Sequence, residues 1–343
     1  EAQINGDLSG SGTLDIEVDG NTSGTPSADK LIVNGGVDVS AMTLDLVLSP
    51  TDAAHWSYGP TGPFTIIEND GNDAVVGPFA DVNDNLLFLD ASLNYTAGTG
   101  NDVQLTLFRN EIDMVAAAHT VNQTATAAAI GSLGNTNPVY LSVVTTVGDE
   151  NAARVAFDSL SGEINATLRS VLVSDSDLTR DMALARLRDS GSPGSGLWGN
   201  AIGNWGHYGS NEGTYEADST TGGFLFGYDH TVSQALTLGV MAGYTRTDVS
   251  VDQLNSMAEA DSFHLGLYAG GAWNGWTYKG GVAAAYNDAD VSRDVRATST
   301  LSQSLTSDQQ IYSTQVFAEA GYEFDVRGVT LEPFAGVARL YLT

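Results

Sequence analysis

The run Ser262-Phe263-His264-Leu265-Gly266-Leu267-Tyr268-Ala269-Gly270 alternates between two kinds of residue. In an extended chain Phe263, Leu265, Leu267 and Ala269, with Trp273 beyond, share one face, and Ser262, His264, Gly266 and Gly270 share the other. Its neighbours behave alike. Leu236, Leu238, Val240, Ala242 and Tyr244 oppose Thr237, Gly239, Met241, Gly243 and Thr245. Trp276, Tyr278, Val282, Ala284 and Tyr286 oppose Thr277, Lys279, Gly281 and Asn287. Tyr312, Val316, Ala318, Tyr322 and Phe324 oppose Gln315, Glu319, Gly321 and Glu323. Aromatic residues stand toward the ends of the apolar faces, with small aliphatics between. Strands of soluble sandwiches average about 5–6 residues. A tilted membrane strand needs about 9–11, with an apolar outside, a polar inside and aromatic girdles. Seven segments fit the second description, at 197–208, 218–230, 235–247, 260–274, 275–289, 309–326 and 329–343. They read as antiparallel transmembrane β-barrel strands. Trp273, Trp276, Tyr244, Tyr286 and Tyr322 are expected at the lipid-facing girdle, and Glu319, Glu323, Glu332 and His264 on the lumen face.

Upstream of this zone the texture changes twice. Residues 111–196 carry helical periodicity. The Ala-rich run 120–133 predicts a helix, Pro138 lies just past its end, and a second short helix can follow. From Asp149, the residues Ala153, Ala156, Phe157, Leu160, Ile164, Leu168 and Val171 recur at three- and four-residue steps. They predict a helix over 150–173, about 36 Å long at ~1.5 Å per residue, enough to cross a bilayer core of about 30 Å but too polar to face lipid. Ser176 or Asp177 can cap a further helix over 178–188, carrying Arg180, Arg186 and Arg188. A flexible break is expected over 190–196. Residues 1–110 read as short strands between Gly-Asn, Asn-Gly-Gly and Asn-Asp-Gly turns, with Thr13 to Val18, Met42 to Leu48, Lys30 to Val33 and Val103 to Phe108 as the clearest. No exact period shows. The rhythm fits a parallel β-helix, its capping end, or a β-sandwich.

Composition narrows the function. Thirteen Lys+Arg stand against 42 Asp+Glu, a net charge of −29, which argues against a nucleic-acid partner because phosphate contacts need a basic face. Only 16% of residues are charged while 42% are hydrophobic, so the acidity is not that of a disordered tail. With no Cys, disulfides, thiolate catalysis and Cys-ligated zinc all fall away. No enzyme constellation is evident. Gly6-Asp7-Leu8-Ser9 has the composition of a Gly-Asp-Ser-Leu esterase motif in the wrong order, and no Gly-x-Ser-x-Gly elbow exists. The histidines at 55, 119, 207, 230 and 264 lack metal spacing. Asp81-x-Asn83-x-Asn85 starts like a calcium loop, but Leu86 replaces the required Gly and Ser92 the closing Glu, so a solvated turn is expected there. Neither catalytic residues, nor a cofactor, nor a metal is expected.

Taken in order, several motifs resemble a bacterial type V autotransporter. Asp158-Ser-Leu-Ser-Gly-Glu-Ile164 followed by Leu168-Arg169-Ser170 resembles the helical linker before the translocator barrel. Trp198-Gly-Asn-Ala-Ile-Gly-Asn-Trp-Gly-His-Tyr208 resembles its first strand. Gly222-Gly-Phe-Leu-Phe-Gly-Tyr-Asp229 and Leu238-Gly239 to Gly243-Tyr244 resemble the next two. Phe263 to Gly270, Glu319-Ala-Gly-Tyr322 and Leu331-Glu-Pro-Phe-Ala-Gly336 continue the series. The resemblance implies a mainly β protein in three parts: a β-helix-like passenger stem end over 1–110, a helical linker with a pore helix over 111–196, and a truncated β-barrel over 197–343. The family barrel has twelve strands, of which about seven would be present, so a fragment is expected.

The implied function is an outer-membrane translocator unit that secretes and displays its own N-terminal passenger. The implied setting is the bacterial outer membrane with the stem at the cell surface. The implied partners are outer-membrane lipid, the barrel assembly machinery and the passenger itself. Arg180, Arg186 and Arg188 would hold the pore helix against lumen acids. Asn165, in the linker, lacks the Asn-Asn context of the family's self-cleaving subgroup. A surface adhesin stem that binds a partner and a soluble secreted all-β protein are the alternatives.

Overall fold

The computed structural model describes residues 1–20, 26–51, 53–56, 61–189, 195–211, 213–233 and 235–343. The described chain forms two compact units: residues 1–161 with 295–303, and residues 162–294 with 304–343. The break expected over 190–196 lies, for 190–194, outside the described residues, as does the side chain of His55.

The first unit contains β1 (Ala2–Ile4), β2 (Gly12–Gly20), β3 (Pro26–Ala28), β4 (Leu31–Val33), β5 (Met42–Ser49), β6 (Thr61–Asn69), β7 (Asp81–Asp84), β8 (Leu89–Ala97) and β9 (Asp102–Arg109). Its helices are α1 (Ala53–Trp56), α2 (Val121–Ser132), α3 (Pro138–Val144) and α4 (Glu150–Leu160). The strands wind into a parallel β-helix with three ladders per turn. β1, β4 and β6 stack on one face, β2, β5 and β7 on another, and single bridges Leu8–Val37 and Asp38–Val76 mark the third. Ala2 pairs with Leu31 and Leu31 with Ile67, so successive coils take 29 and 36 residues. That inequality hides the repeat from a search at fixed period. The turn after the first ladder does recur, as Asn5-Gly6, Asn34-Gly35 and Asp70-Gly71, and Asn34 Nδ2 donates to Asn5 Oδ1 at 2.9 Å across two coils.

The coil interior is apolar. Ile16, Val18, Val33, Leu44, Leu46, Leu48, Ile66 and Ile67 are buried, while Asp15 and Glu17 point out. The antiparallel β8–β9 hairpin joins the sheet beside β6. Asp81 to Asp84, expected as a turn, is strand β7 beside β5, because its backbone is taken up in the parallel ladder. The helices then add to the same core. Met114, Ala127, Ile130, Val143, Ala153 and Phe157 cluster with Phe88, Leu105 and Leu107. Residues 111–161 therefore belong to the first compact unit together with the coils. Residues 295–303 also belong there: Val295, Ala297 and Leu301 cluster with Ala156, and the Arg296 N–H donates to Ser159 Oγ at 2.8 Å.

The second unit is a long helix and a sheet. α5 (Glu163–Asp189) precedes β10 (Gly196–Tyr208), β11 (Ala217–Ser233), β12 (Leu236–Val251), β13 (Ser256–Trp273), β14 (Trp276–Thr298), β15 (Leu301–Tyr322), β16 (Phe324–Val326), β17 (Val329–Leu331) and β18 (Phe334–Leu342). The sheet order is β10-β11-β12-β13-β14-β15-β18, with β10 and β18 at its edges, and its resolved ladders are antiparallel.

Three expectations need correction. The helix read over 150–173 ends at Leu160, because Gly162 takes a left-handed φ of +67°. No new helix begins near Ser176. α5 runs through, with Ser176 Oγ donating back to the Val173 carbonyl at 2.6 Å and the Asp175 carboxylate engaged by strand hydroxyls. The seventh strand starts at Phe334 and not at 329, because residues 324–326 and 329–331 pair with each other around the positive-φ turn Arg327-Gly328.

Candidate functional site

Extended backbone sends alternate side chains to opposite faces of the sheet, and the two faces of the second unit are unlike. One face is apolar and open. Phe224, Tyr244, Phe263 and Tyr286 stand side by side across four strands in direct register. Toward the β13–β14 turn come the rows Phe226–Ala242–Leu265–Ala284 and Tyr228–Val240–Leu267–Val282, and at the turn itself Trp273 faces Trp276. Leu265 is 66% exposed and Leu267 is 56% exposed. Trp273, Trp276 and Tyr322 are exposed, and Trp276 meets Tyr322 edge to face with ring centres 5.2 Å apart. Tyr244 and Tyr286 are half-buried within the other aromatic row. Ten residues separate Trp276 from Tyr286, roughly 33 Å along a strand and about 25 Å along the normal for a tilt near 40°, the height of a lipid-facing band. Past the second row the same face turns ionic at once, as Arg246, Asp261 and Asp288 occupy the next register. Arg246 pairs there with Glu259.

The other face covers α5. Ile164, Leu168, Val171 and Leu172 of the helix cluster with Ala217 of β11, Val249 of β12, Ala258 and Ala260 of β13, Ala289 of β14 and Ile311 of β15. Five successive strands thus pack on one helix. Larger inward residues sit against glycine: a Cβ on Gly239 would stand 2.2 Å from the Tyr268 ring, and one on Gly227 2.6 Å from Trp198.

Polar groups are buried on this side and almost all are partnered. Asp175 of α5 accepts from Thr221 Oγ1 at 2.7 Å and Thr247 Oγ1 at 2.9 Å. His264, expected on the lumen face, faces α5, with Nε2 2.9 Å from Thr245 Oγ1 and Nδ1 3.4 Å from Thr179 Oγ1. Toward the C-terminal end of α5 the contacts become ionic. Arg186 Nε lies 2.5 Å from the buried Asp229, which also accepts from the Tyr268 hydroxyl, itself an acceptor for Trp198 Nε1 at 2.7 Å. Arg188 lies 2.5 Å from Glu319 and its guanidinium sits over the Phe334 ring at 5.0 Å. Lys279 Nζ joins Glu319, at 3.3 Å, to Glu332, at 2.9 Å.

The expected set is thus regrouped. Arg188 and Glu319 meet directly. Arg186 is taken by Asp229, and Glu332 by Lys279 and Thr277. Arg180 turns to its own helix, 2.8 Å from Asp177 and 3.0 Å from Asp181. Glu323 lies just past the end of β15 and is exposed, so it does not share the inward face of Glu319. Asp229, Tyr268 and Asp175 were passed over as site residues in the sequence, and Lys279 was placed on the polar face without a role. The signal that could have found Lys279 and Asp229 was a charge standing inside an alternating membrane-length segment, where charge is costly unless paired. Among the described residues no group of three or more His, Asp or Glu side chains could hold a metal ion, and no helix is long and apolar enough to cross a membrane.

Compared with known proteins, residues 197–343 match the family profile described as Autotransporter beta-domain. This region is an autotransporter β-domain. The match covers residues 197–343 only, and the β-domain it identifies is of the type V autotransporter kind, a module of the bacterial outer membrane. Across 91% of its length the chain is 28% identical to an extracellular serine protease of Serratia marcescens, covering 34% of that protein. A second protein so named from Serratia marcescens is 28% identical over 78% of the chain and 30% of its own length. The chain therefore spans about a third of the curated relatives it matches. Among solved structures, the translocator domain of the autotransporter NalP from Neisseria meningitidis aligns with a TM-score of 0.41 at 16% identity, covering 50% of this chain and 60% of that one. The beta domain of the Bordetella autotransporter BrkA aligns with a TM-score of 0.37 at 19% identity, covering 43% of this chain and 59% of that one. The β-domain gives the molecule the role of an outer-membrane translocator unit.

Proposed function

We propose that the unit secretes and displays its own passenger, with α5 as the segment left in the pore once the passenger has passed. The observation that carries this is the seating of α5 against five successive strands. Its apolar side chains pack on alanine, valine and isoleucine of the wall, and Arg186 and Arg188 close ion pairs with buried acids of the wall. On this reading residues 1–110 are the membrane-proximal end of a longer passenger stem. Folding of that stem buries strand faces such as Ile16-Val18 of the coils and Leu105-Leu107 of the hairpin, at ~25 cal/mol per Å² of apolar surface, and biases the chain outward at a membrane with no ATP. Lipid packs on the aromatic rows, and the barrel assembly machinery inserts the strands. This region carries no catalytic role; the protease activity for which the relatives are named belongs, in this proposal, to passenger sequence that the chain does not include. The test is deletion of residues 40–110 from the full-length protein. Barrel insertion persists and protease-resistant passenger at the surface is lost. Fully folded, resistant passenger after that deletion would make the stem a spacer.

A further inference from the structure

The inward face of the wall changes chemistry along the pore. At one level Ala217, Val249, Ala258 and Ile311 meet the apolar residues of α5. At another stand the charges Asp229, Lys279 and Glu319. Between them the wall is built from hydroxyls and amides. From the register of Thr221, Thr247, Ala260 and Ala289 to that of Gly227, Met241, Gly266 and Ala283, the inward rows of β11 to β14 hold no carboxylate, lysine or arginine, and His264 is their one titratable side chain. They hold the buried polar groups of Thr221, Thr247, Ser262 and Asn287, joined on β15 by Ser313 and Gln315. Resting on the translocator reading, we propose that this collar is a binding track for the backbone of an extended chain, the passenger in transit, recognised by its peptide N–H and C=O groups and not by its side chains.

Hydroxyls and carboxamides both donate and accept, so they can pair with either group of a peptide. A threading chain needs such partners. Its peptide groups recur every ~3.3 Å along an extended backbone, and each one taken from water without a new partner is costly. The Asp175 carboxylate of α5 already accepts from Thr221 and Thr247, in the place a passing carbonyl would take. Other members of the collar are not engaged by α5. Ser262 donates to Asn287 Oδ1 at 2.7 Å within the wall. Gln315 is only 3% exposed and lines a cavity of about 20 Å³ that Thr179 of the helix also borders, and its Oε1 has no hydrogen-bond partner. A buried amide oxygen at a gap in the seat of α5 is an acceptor that the helix leaves idle and that an extended chain can use. Charge points to the same occupant. Residues 1–110 carry 16 acidic and 2 basic side chains. A wall acid at this level would repel that segment and a wall base would hold it, whereas hydroxyls and amides do neither.

The experiment uses the full-length protein in cells and follows arrival of the passenger at the surface by pulse–chase with added protease. One variant removes collar groups that leave α5 untouched, by Ser262→Ala, Ser313→Ala and Gln315→Met together. Its control, Ser262→Thr, Ser313→Thr and Gln315→Asn, alters packing at the same positions and keeps the hydrogen-bonding groups. Half-times are read against the amount of barrel in the compact, fast-migrating form, so that losses in assembly do not enter. The expected half-time is about threefold longer in the apolar variant than in the control, the size of one net hydrogen bond lost by the chain in transit. Where a triple variant gives no compact barrel, Gln315→Met against Gln315→Asn makes the same comparison. Equal half-times, or a slower control, would overturn the track. The unsubstituted protein separates the two readings: if it brought no passenger to the surface, the translocator reading itself would fall, whereas surface passenger with equal half-times in the two variants removes only the track.

Discussion

β5 in the stem and β13 in the β-domain carry the same period-two pattern and use it in opposite senses. In β5 the apolar members Leu44, Leu46 and Leu48 are buried, and in β13 the apolar members Phe263, Leu265 and Leu267 are more than half exposed. The polar members reverse as well. Ser262 and Thr245 of the β-domain are buried, whereas Glu17 of β2 is open to solvent. Alternation thus fixes which residues share a face and leaves open which face meets water. What separates the regions is length and edging. The stem strands span at most nine residues, and β11 to β15 span at least 16. Only the long strands place aromatic rows at two levels of one face.

The difference gives each region its own weak points. Phe157→Ala removes a fully buried ring from the stem core and should cost about 3–5 kcal/mol. The passenger-side protease resistance then fails at lower urea while the heat transition of the barrel stays in place. A shift of both together would mean that the two regions fold as one. Leu265→Lys places a charge on the lipid face one register inside the aromatic row, with an expected cost of about 1–3 kcal/mol. It should lower the barrel's heat transition and leave stem proteolysis unchanged. A silent Leu265→Lys would point to water on that face.

The lumen contacts sharpen the comparison at a smaller scale. Replacing Arg186 leaves the buried Asp229 with only the Tyr268 hydroxyl, a loss of about 1–3 kcal/mol. Arg186→Ala with Arg188→Ala should therefore raise single-channel conductance of the full barrel, whereas Arg180→Ala, which breaks only pairs within the helix, should not. Equal effects of the double and the single change would contradict the regrouped contacts. The smallest effect is on the stem side. Asp38 accepts from the Ser40 hydroxyl at 2.6 Å and the Ser40 N–H at 3.0 Å, and these bonds hold its carboxyl below the ordinary value of 3.8. A carboxyl lowered on folding contributes stability above its unfolded value and loses it as pH falls through the folded one. Stem stability should drop slightly below about pH 4, and Ser40→Ala should flatten that drop.

Much of the β-domain was legible because a membrane strand is a long local signal. Leu238, Val240, Leu265, Leu267 and Val282 lie open as alternation requires, and Gly239 and Gly266 are buried. The strand ends were less legible. β14 reaches Thr298 and β15 starts at Leu301, well beyond the apolar run, because Asp288, Asp290 and Asp308 break the hydrophobic pattern there without breaking the ladder. Of the lumen charges only the Arg188–Glu319 pair falls within the expected set; the other partners were not legible. Arg186 finds Asp229 at a sequence distance of 43 residues, and only the sheet register brings them together. The stem coils escaped a periodic search because an insertion between β5 and β6 lengthens one coil.

The central claim is that β13 turns its odd-numbered side chains to lipid. A nitroxide scan of residues 262–269 in the full-length protein, comparing access by oxygen with access by a polar nickel chelate, tests it directly. The account predicts oxygen maxima at 263, 265, 267 and 269, with no oxygen preference in a matching scan of β5. Chelate maxima at those odd positions, or oxygen maxima at the even ones, would contradict it.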